Sequence, residues 1–284
     1  MKQIHSVDKL RKAIAEWREA GDTIALVPTM GNLHKGHMSL ISLAAEYAEH
    51  VIVSIFVNPT QFGPNEDYTS YPRPLEVDSR KLVRAGIDIL FAPSVEEMYP
   101  RGLENSARVL VPEISEQLCG ASRPGHFMGV TSVVSRLFNI CRPDVAVFGS
   151  KDYQQLVILR QMVEGLHIPV KLLAGETERD ANGLALSSRN EKLDDAQRAT
   201  AAVIFRALED AAIALRAGQS EFVDVEKTAI EKIAAAGLDP EYVAIRNATD
   251  LSMPQKNSPR LAILAAAHLS DVRLIDNVLV NIDE

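Results

Sequence analysis

The sequence predicts an α/β protein: a doubly wound, Rossmann-like parallel sheet domain with a second, smaller α+β domain. Three observations carry this. Short, nearly continuous apolar runs alternate with helical patterns through the first two thirds of the chain. Such runs suit strands covered on both faces, as in a parallel sheet. The segments that follow several of those runs carry glycine and polar side chains before the next helical pattern, the order expected of βαβ units. After about residue 176 the pattern changes to long amphipathic helices and then three short strand-like runs.

In chain order, the runs TIALV (23–27), VIVSIFV (51–57), IDILF (87–91) and VAVF (145–148) read as strands. Ser6 can cap a first helix that Gly21 ends; a second helix runs from about Gly36 to Ala48, and a third from about Leu75 to Ala85 before Gly86. Residues 193–218 read as one long amphipathic helix. Asp194 serves as cap, Gln197 stands at the third position after it, Ile204, Leu208 and Leu215 lie on one face, and Gly218 is the stop. A further helix follows from about Phe222 to Ala236, then strand-like runs at 242–246, 261–267 and 272–279, separated by Pro- and Asn-containing turns. The expected domains are 1–176, holding the binding loops, and 177–284, a smaller lid.

Composition narrows the partners. Thirty Lys and Arg against 38 Asp and Glu leave a formal charge of −8, which disfavours nucleic acid. A hydrophobic share of 46% in 284 residues fills a substantial core. No apolar stretch approaches the roughly 20 residues that a bilayer crossing needs, so no membrane association is expected. The first residues carry scattered charge and no apolar export core, and two unpaired-looking cysteines, Cys119 and Cys141, suit a reducing compartment. The expected location is cytoplasmic, with both cysteines packed as small hydrophobes.

Ligands of open α/β sheets bind beyond the carboxyl ends of the strands. In VPTMGNLHKGH (27–37), a strand leads through Met30, Gly31, Asn32 and Leu33 to His34, Lys35, Gly36 and His37 at a helix start. The positive end of that helix and two imidazoles three residues apart suit phosphate. Metal ligation by His34 and His37, or simple packing, are the alternatives, although no acid or Cys stands nearby as a third ligand. In VNPTQF (57–62), Asn58 either fixes the turn or joins Gln61, whose amide offers the donor and acceptor that recognition of a hydroxy acid requires. FGSKDYQQ (148–155) repeats the strand, glycine, helix order; Lys151 either meets phosphate or pairs with Asp152 in solvent. GLALSSRN (183–190) gathers two hydroxyls and a guanidinium, a donor set suited to a polyphosphate on a segment that could close over it, or else an ordinary surface turn.

These segments, with SRPGHFMGV (122–130), resemble one family across essentially the whole chain: the pantothenate synthetases, ATP-dependent ligases that join pantoate to β-alanine. The resemblance implies that His34 and His37 are the family's HxGH pair, His37 being the acid that assists the phosphates, with Lys151 beside them in catalysis. It implies ATP contacts along Met30, Gly31, Asn32, Leu33, His34, Lys35, Gly36 and His37, along Gly149, Ser150, Lys151 and Asp152, at Glu178, and along Leu186, Ser187, Ser188 and Arg189. It likewise implies that Gln61 and Gln155 hold pantoate, Gln61 also lying near β-alanine, and that the enzyme uses magnesium and forms a homodimer. No residue is thereby assigned to the metal. Thr60 departs from the family, which commonly has Met beside this glutamine. Two rival readings remain at this point: an adenylyltransferase acting on a phosphorylated acceptor, which two amides suit poorly, and a nucleotide sensor without catalysis.

Overall fold

A computed structural model describes residues 1–64 and 66–282. The strands are β1 (Lys2–Ile4), β2 (Ile24–Thr29), β3 (His50–Ile55), β4 (Ile89–Phe91), β5 (Val145–Gly149), β6 (Lys171–Gly175), β7 (Asp239–Asn247), β8 (Arg260–Leu269) and β9 (Val272–Asn281). The helices are α1 (Val7–Ala20), α2 (Lys35–Tyr47), α3 (Leu75–Arg84), α4 (Val95–Met98), α5 (Cys119–Ser122), α6 (His126–Cys141), α7 (Tyr153–Gly165), α8 (Asp195–Ala201), α9 (Val203–Arg216) and α10 (Phe222–Ala235).

Six strands form a parallel sheet in the order β1-β4-β3-β2-β5-β6. Its central strands explain the apolar runs: Ile24, Ala25, Leu26 and Val27 of β2 are all fully buried, which requires cover on both faces. Alternation then assigns the faces. Ala25 and Val27, Val51 and Val53, Leu90, and Val145 and Val147 share one core with Leu40, Ile41 and Ala44 of α2 and Leu82 of α3. The topological switch lies between β2 and β5, whose carboxyl ends lead into residues 30–37 and 149–152.

Most expected elements appear with small shifts of boundary, and three expectations are corrected. Ser6 stands at the cap position of α1 without a side-chain capping bond; Glu97 Oε1 instead accepts from Val7 N at 2.7 Å. The single long helix is two, α8 and α9, meeting at Ala202, where Ala201 and Ala202 are both buried and the Ala202 carbonyl takes Arg206 N at 3.4 Å. Its expected start holds: Asp194 and Gln197 form a reciprocal capping box, with bonds of 2.8 and 3.0 Å. The turn between β8 and β9 is Ser270-Asp271, with neither Pro nor Asn, and Ser270 takes a φ of 52°.

The chain forms two compact units: Met1–Ser150 with Ile158–Glu176, and Lys151–Val157 with the residues from Thr177 onward. The dividing line passes through α7, so Lys151 and Gln155 belong to the second unit. In that unit, α9 and α10 pack on the antiparallel sheet β7-β8-β9. Leu208, Ile233, Ile245, Ile263 and Val280 form its core, each side chain burying apolar surface that contributes roughly 1.5–3 kcal/mol.

Candidate active site

The first candidate segment leaves β2 at Thr29, whose Oγ1 donates to Ser54 O at 2.9 Å and accepts from Gly31 N at 3.1 Å. The chain then turns through two left-handed residues, Gly31 at φ 85° and Asn32 at φ 50°. It enters α2 with His34 as the extended cap residue. The first turn of α2 carries no acidic side chain, leaving its positive end to an incoming anion.

His34 and His37 sit with ring centroids 4.1 Å apart. His37 Nδ1 accepts from the backbone N–H of His34 at 3.2 Å. A neutral imidazole that accepts at Nδ1 carries its hydrogen on Nε2, so His37 can donate a hydrogen bond without first gaining a proton. The same bond occupies the Nδ1 lone pair and this tautomer has hydrogen on Nε2, so neither ring nitrogen presents a lone pair to a metal. Among the described residues, no group of three or more His, Cys, Asp or Glu side chains could hold a metal ion.

The second segment turns at Pro59–Gln61, where Asn58 fixes the turn and hydrogen-bonds Gln61. Asn58 is buried, and its Oδ1 accepts from Thr60 N at 3.4 Å, which fixes the turn. The same oxygen accepts from Tyr99 OH at 2.6 Å and from Thr60 Oγ1 at 3.0 Å. With that oxygen surrounded by donors, the amide orientation is settled. Asn58 Nδ2 therefore donates to Gln61 Oε1 at 3.0 Å and to Gly129 O at 3.2 Å. Gln61 in turn keeps its amide hydrogens outward, one toward Met30 Sδ at 3.3 Å. It is thus oriented to donate to an acceptor-rich ligand such as a carboxylate or hydroxyl oxygen. Gly129 of α6 makes the packing possible, since a Cβ there would lie 2.3 Å from Thr60 O.

A third group closes on the same turn. His126 Nδ1 donates to Gln61 O at 2.7 Å, and its Nε2 accepts from Arg123 Nη1 at 2.9 Å. Arg123 also grips Glu66 with Nε to Oε1 at 2.7 Å and Nη2 to Oε2 at 2.6 Å. Burial alone would raise the Glu66 carboxyl, but the hydrogen bonds and charge of Arg123 outweigh it and hold the group below the usual carboxylate range. Arg123 and His126 stand in a quoted motif, yet their work on Gln61 spans more than sixty residues and has no local signature.

The second unit supplies the other candidates. Asn277 Nδ2 of β9 donates to Lys151 O at 2.8 Å, tying the Lys151 backbone to the small sheet. Next to it, Asp276 takes both ends of Arg179, at 2.6 and 2.9 Å, while the guanidinium lies 3.6 Å from the Phe205 ring centre. Arg179 pairs with Ala185 in an isolated bridge, and Leu186 N donates to Glu178 O at 2.8 Å. Glu178 and Leu186 are therefore neighbours through backbone. The acidic stretch beside them is locally consumed in part, since Asp180 Oδ1 accepts from Asn182 N and Leu184 N. Ser187 Oγ accepts from Arg189 N at 3.3 Å, capping the 3-10 turn Ser188–Lys192, and Asn190 Nδ2 braces the segment against Ala185 O at 2.9 Å.

Within the first unit the structure brings together Met30, Asn58 and Gln61, with His34 and His37 paired on the same loop as Met30. Gly31, Asn32 and Leu33 are buried, Gly36 is half-buried and Lys35 is exposed. Gly149 ends β5 and Ser150 follows it. In the second unit, Lys151 and Gln155 are half-buried, Asp152 is exposed, and Glu178, Leu186, Ser187, Ser188 and Arg189 share one bridged loop.

Fold and loops together define a doubly wound α/β protein whose sheet ends in a histidine-bearing helix start suited to an anion, beside an amide poised to donate. The family model described as pantoate-beta-alanine ligase matches residues 2–279. A Pseudomonas putida (strain W619) protein named pantothenate synthetase is 51% identical over 284 residues, covering 100% of this chain and 99% of its own. A crystal structure of the pantothenate synthetase from Thermus thermophilus aligns with a TM-score of 0.91 at 41% identity, over 98% of this chain and 99% of that one. The pantoate-beta-alanine ligase of Francisella tularensis, complexed with beta-gamma ATP and beta-alanine, aligns with a TM-score of 0.82 at 36% identity, over 98% and 97%. The chain belongs to the pantoate–β-alanine ligase family.

Proposed function

We propose that this chain condenses pantoate with β-alanine at the cost of ATP, through a pantoyl adenylate. The observation that carries the proposal is the full-length family match, since it covers every loop in which the candidate residues stand. A carboxylate oxygen is a poor leaving group, so forming an amide in water needs activation. The pantoate carboxylate attacks the α-phosphorus, the bond to the bridging oxygen breaks, and pyrophosphate departs. The β-alanine amine, unprotonated, then attacks the acyl carbon, AMP leaves with the former carboxylate oxygen, and the nitrogen gives up a proton.

The chain's own share is positioning and charge stabilisation. His37 donates from Nε2 to phosphate oxygen, His34 and the start of α2 add positive potential, and Lys151, Ser187, Ser188 and Arg189 take up charge growing on the pyrophosphate. Backbone along Met30, Gly31, Asn32, Leu33, Lys35 and Gly36, with Gly149, Ser150, Asp152, Glu178 and Leu186, lines the nucleotide. Gln61 and Gln155 hold pantoate, and Asn58 orients Gln61. Magnesium enters this proposal as part of the nucleotide substrate; among the described residues no group of three or more His, Cys, Asp or Glu side chains could hold a metal ion. A cytoplasmic homodimer completes the proposal, as the resemblance implies; among the described residues no helix is long and apolar enough to cross a membrane.

The test is product dependence. With ATP and pantoate the protein should release about one equivalent of pyrophosphate and stall, with AMP appearing when β-alanine is added. A stable adenylylated product that β-alanine leaves untouched would indicate a transferase. ATP binding without any pyrophosphate release would indicate a sensor.

A further inference from the structure

The loop that carries His34 and His37 is held from a helix that no sequence motif connects to it. At Gly31 and Asn32 the backbone turns left-handed, and successive N–H groups in such a turn make a small anion-binding concavity. Here that concavity is already filled from within. Asp78 of α3, fully buried, accepts from Asn32 N with Oδ2 at 2.7 Å and from Leu33 N with Oδ1 at 2.9 Å. One turn on, Lys81 Nζ donates to Leu33 O and stands 3.8 Å from Asp78 Oδ1.

Helix α3 thus grips Leu33 at both its N–H and its carbonyl. The approach depends on glycine: a Cβ at Gly31 would meet Ile55 Cγ2 at 3.0 Å and Asp78 Oδ2 at 3.3 Å, at a φ that side chains rarely adopt. The Leu33 side chain is itself buried in the core with Leu40, Ile41 and Leu82. The residue after this clamp is His34, where α2 begins.

We propose that Asp78 and Lys81 are positioning residues for the nucleotide, acting through the Asn32-Leu33 backbone to set where His34, His37 and the start of α2 meet the phosphates. The proposal rests on the assignment of this loop to ATP. An internal carboxylate occupies the backbone concavity, so the ligand's phosphates are met beyond it, by the imidazoles and the helix end. Lys81 is half-exposed and bonds the loop through Nζ, whereas Asp78 is fully buried, so the two variants differ in how far they disturb the core.

The test compares ATP dissociation constants by titration calorimetry, with melting temperature beside them, for the wild type and for Lys81→Met, Lys81→Arg and Asp78→Asn. Lys81→Met should weaken ATP about tenfold, the scale of one lost charge-assisted hydrogen bond. Its melting temperature should stay near that of the wild type, and Lys81→Arg should restore the affinity. Asp78→Asn, which turns an N–H₂ group toward a backbone N–H, should weaken ATP at least as much. ATP affinity within twofold of wild type in Lys81→Met would overturn the proposal, whether or not Asp78→Asn folds. So would a loss that Lys81→Arg fails to restore. A wild type that binds ATP but makes no pantoate-dependent pyrophosphate would instead sink the ligase assignment, and the affinities would still decide the clamp.

Discussion

His37 illustrates how much one hydrogen bond determines. Because its Nδ1 accepts from His34 N–H, the neutral ring carries its hydrogen on Nε2 and donates from there. Replacing His37 or Lys151 with Ala should lower the adenylation rate by about 10²–10³, roughly 3–4 kcal/mol, as loss of one preorganised donor does elsewhere. Stopped-flow pyrophosphate release checks this, and near-normal rates at saturating substrates would remove either residue from the site. Tyr99 acts one step further back, through Asn58, and burial raises its phenol pKa, so the O–H remains a donor at neutral pH. Tyr99→Phe should cost about 1 kcal/mol, roughly fivefold in kcat/KM for pantoate, with the KM for ATP unchanged. A change confined to ATP would contradict the relay. Thr60 reaches the same oxygen through both its N–H and its hydroxyl, so Asn58 keeps two donors even in that variant. His34, His37 and Gln61 were legible because chemistry-bearing side chains cluster there within a few residues. Tyr99, Asp78 and Arg123 were not, since each reaches its partner across more than forty residues.

Among the elements, those that escaped sequence reading did so for identifiable reasons. Helix α6 has eleven of its sixteen residues buried, several of them β-branched, so only a narrow polar stripe is left to reveal its period. Strands β1 and β6 lie at the sheet edges, where exposed Lys2, Gln3 and Lys171 interrupt any apolar run. The central strands were plain because burial on both faces leaves no room for polar residues. Cys141 lies in the buried face of α6, where desolvation pushes its thiol up to about 12, in keeping with a packing role. The Arg123–Glu66 pair that braces α6's first turn against Gln61 gives a pH signature. Since the folded carboxyl titrates below its unfolded value of about 4.3, the pair stabilises the fold above that pH and the contribution is lost as pH falls through the folded pKa. Glu66→Gln should therefore lower the melting temperature by roughly 1–3 °C at pH 7, given partial exposure, and by progressively less below about pH 4. A deficit that stays constant across this range in calorimetry would show that the charge is not what stabilises the turn.

For the molecule as a whole, the candidate residues fall into two sets, His34, His37 and Gln61 on one compact unit and Lys151, Gln155 and Ser187 to Arg189 on the other. The proposed adenylation assigns both sets to one nucleotide, which no single loop reveals. A crystal structure of the protein with a non-hydrolysable ATP analogue and pantoate measures this most directly. His37 Nε2 and Lys151 Nζ should both lie within hydrogen-bond distance of phosphate oxygens, with the carboxylate held by Gln61 facing the α-phosphorus. Phosphates bound by one unit alone, or an acid seated away from both glutamines, would contradict it.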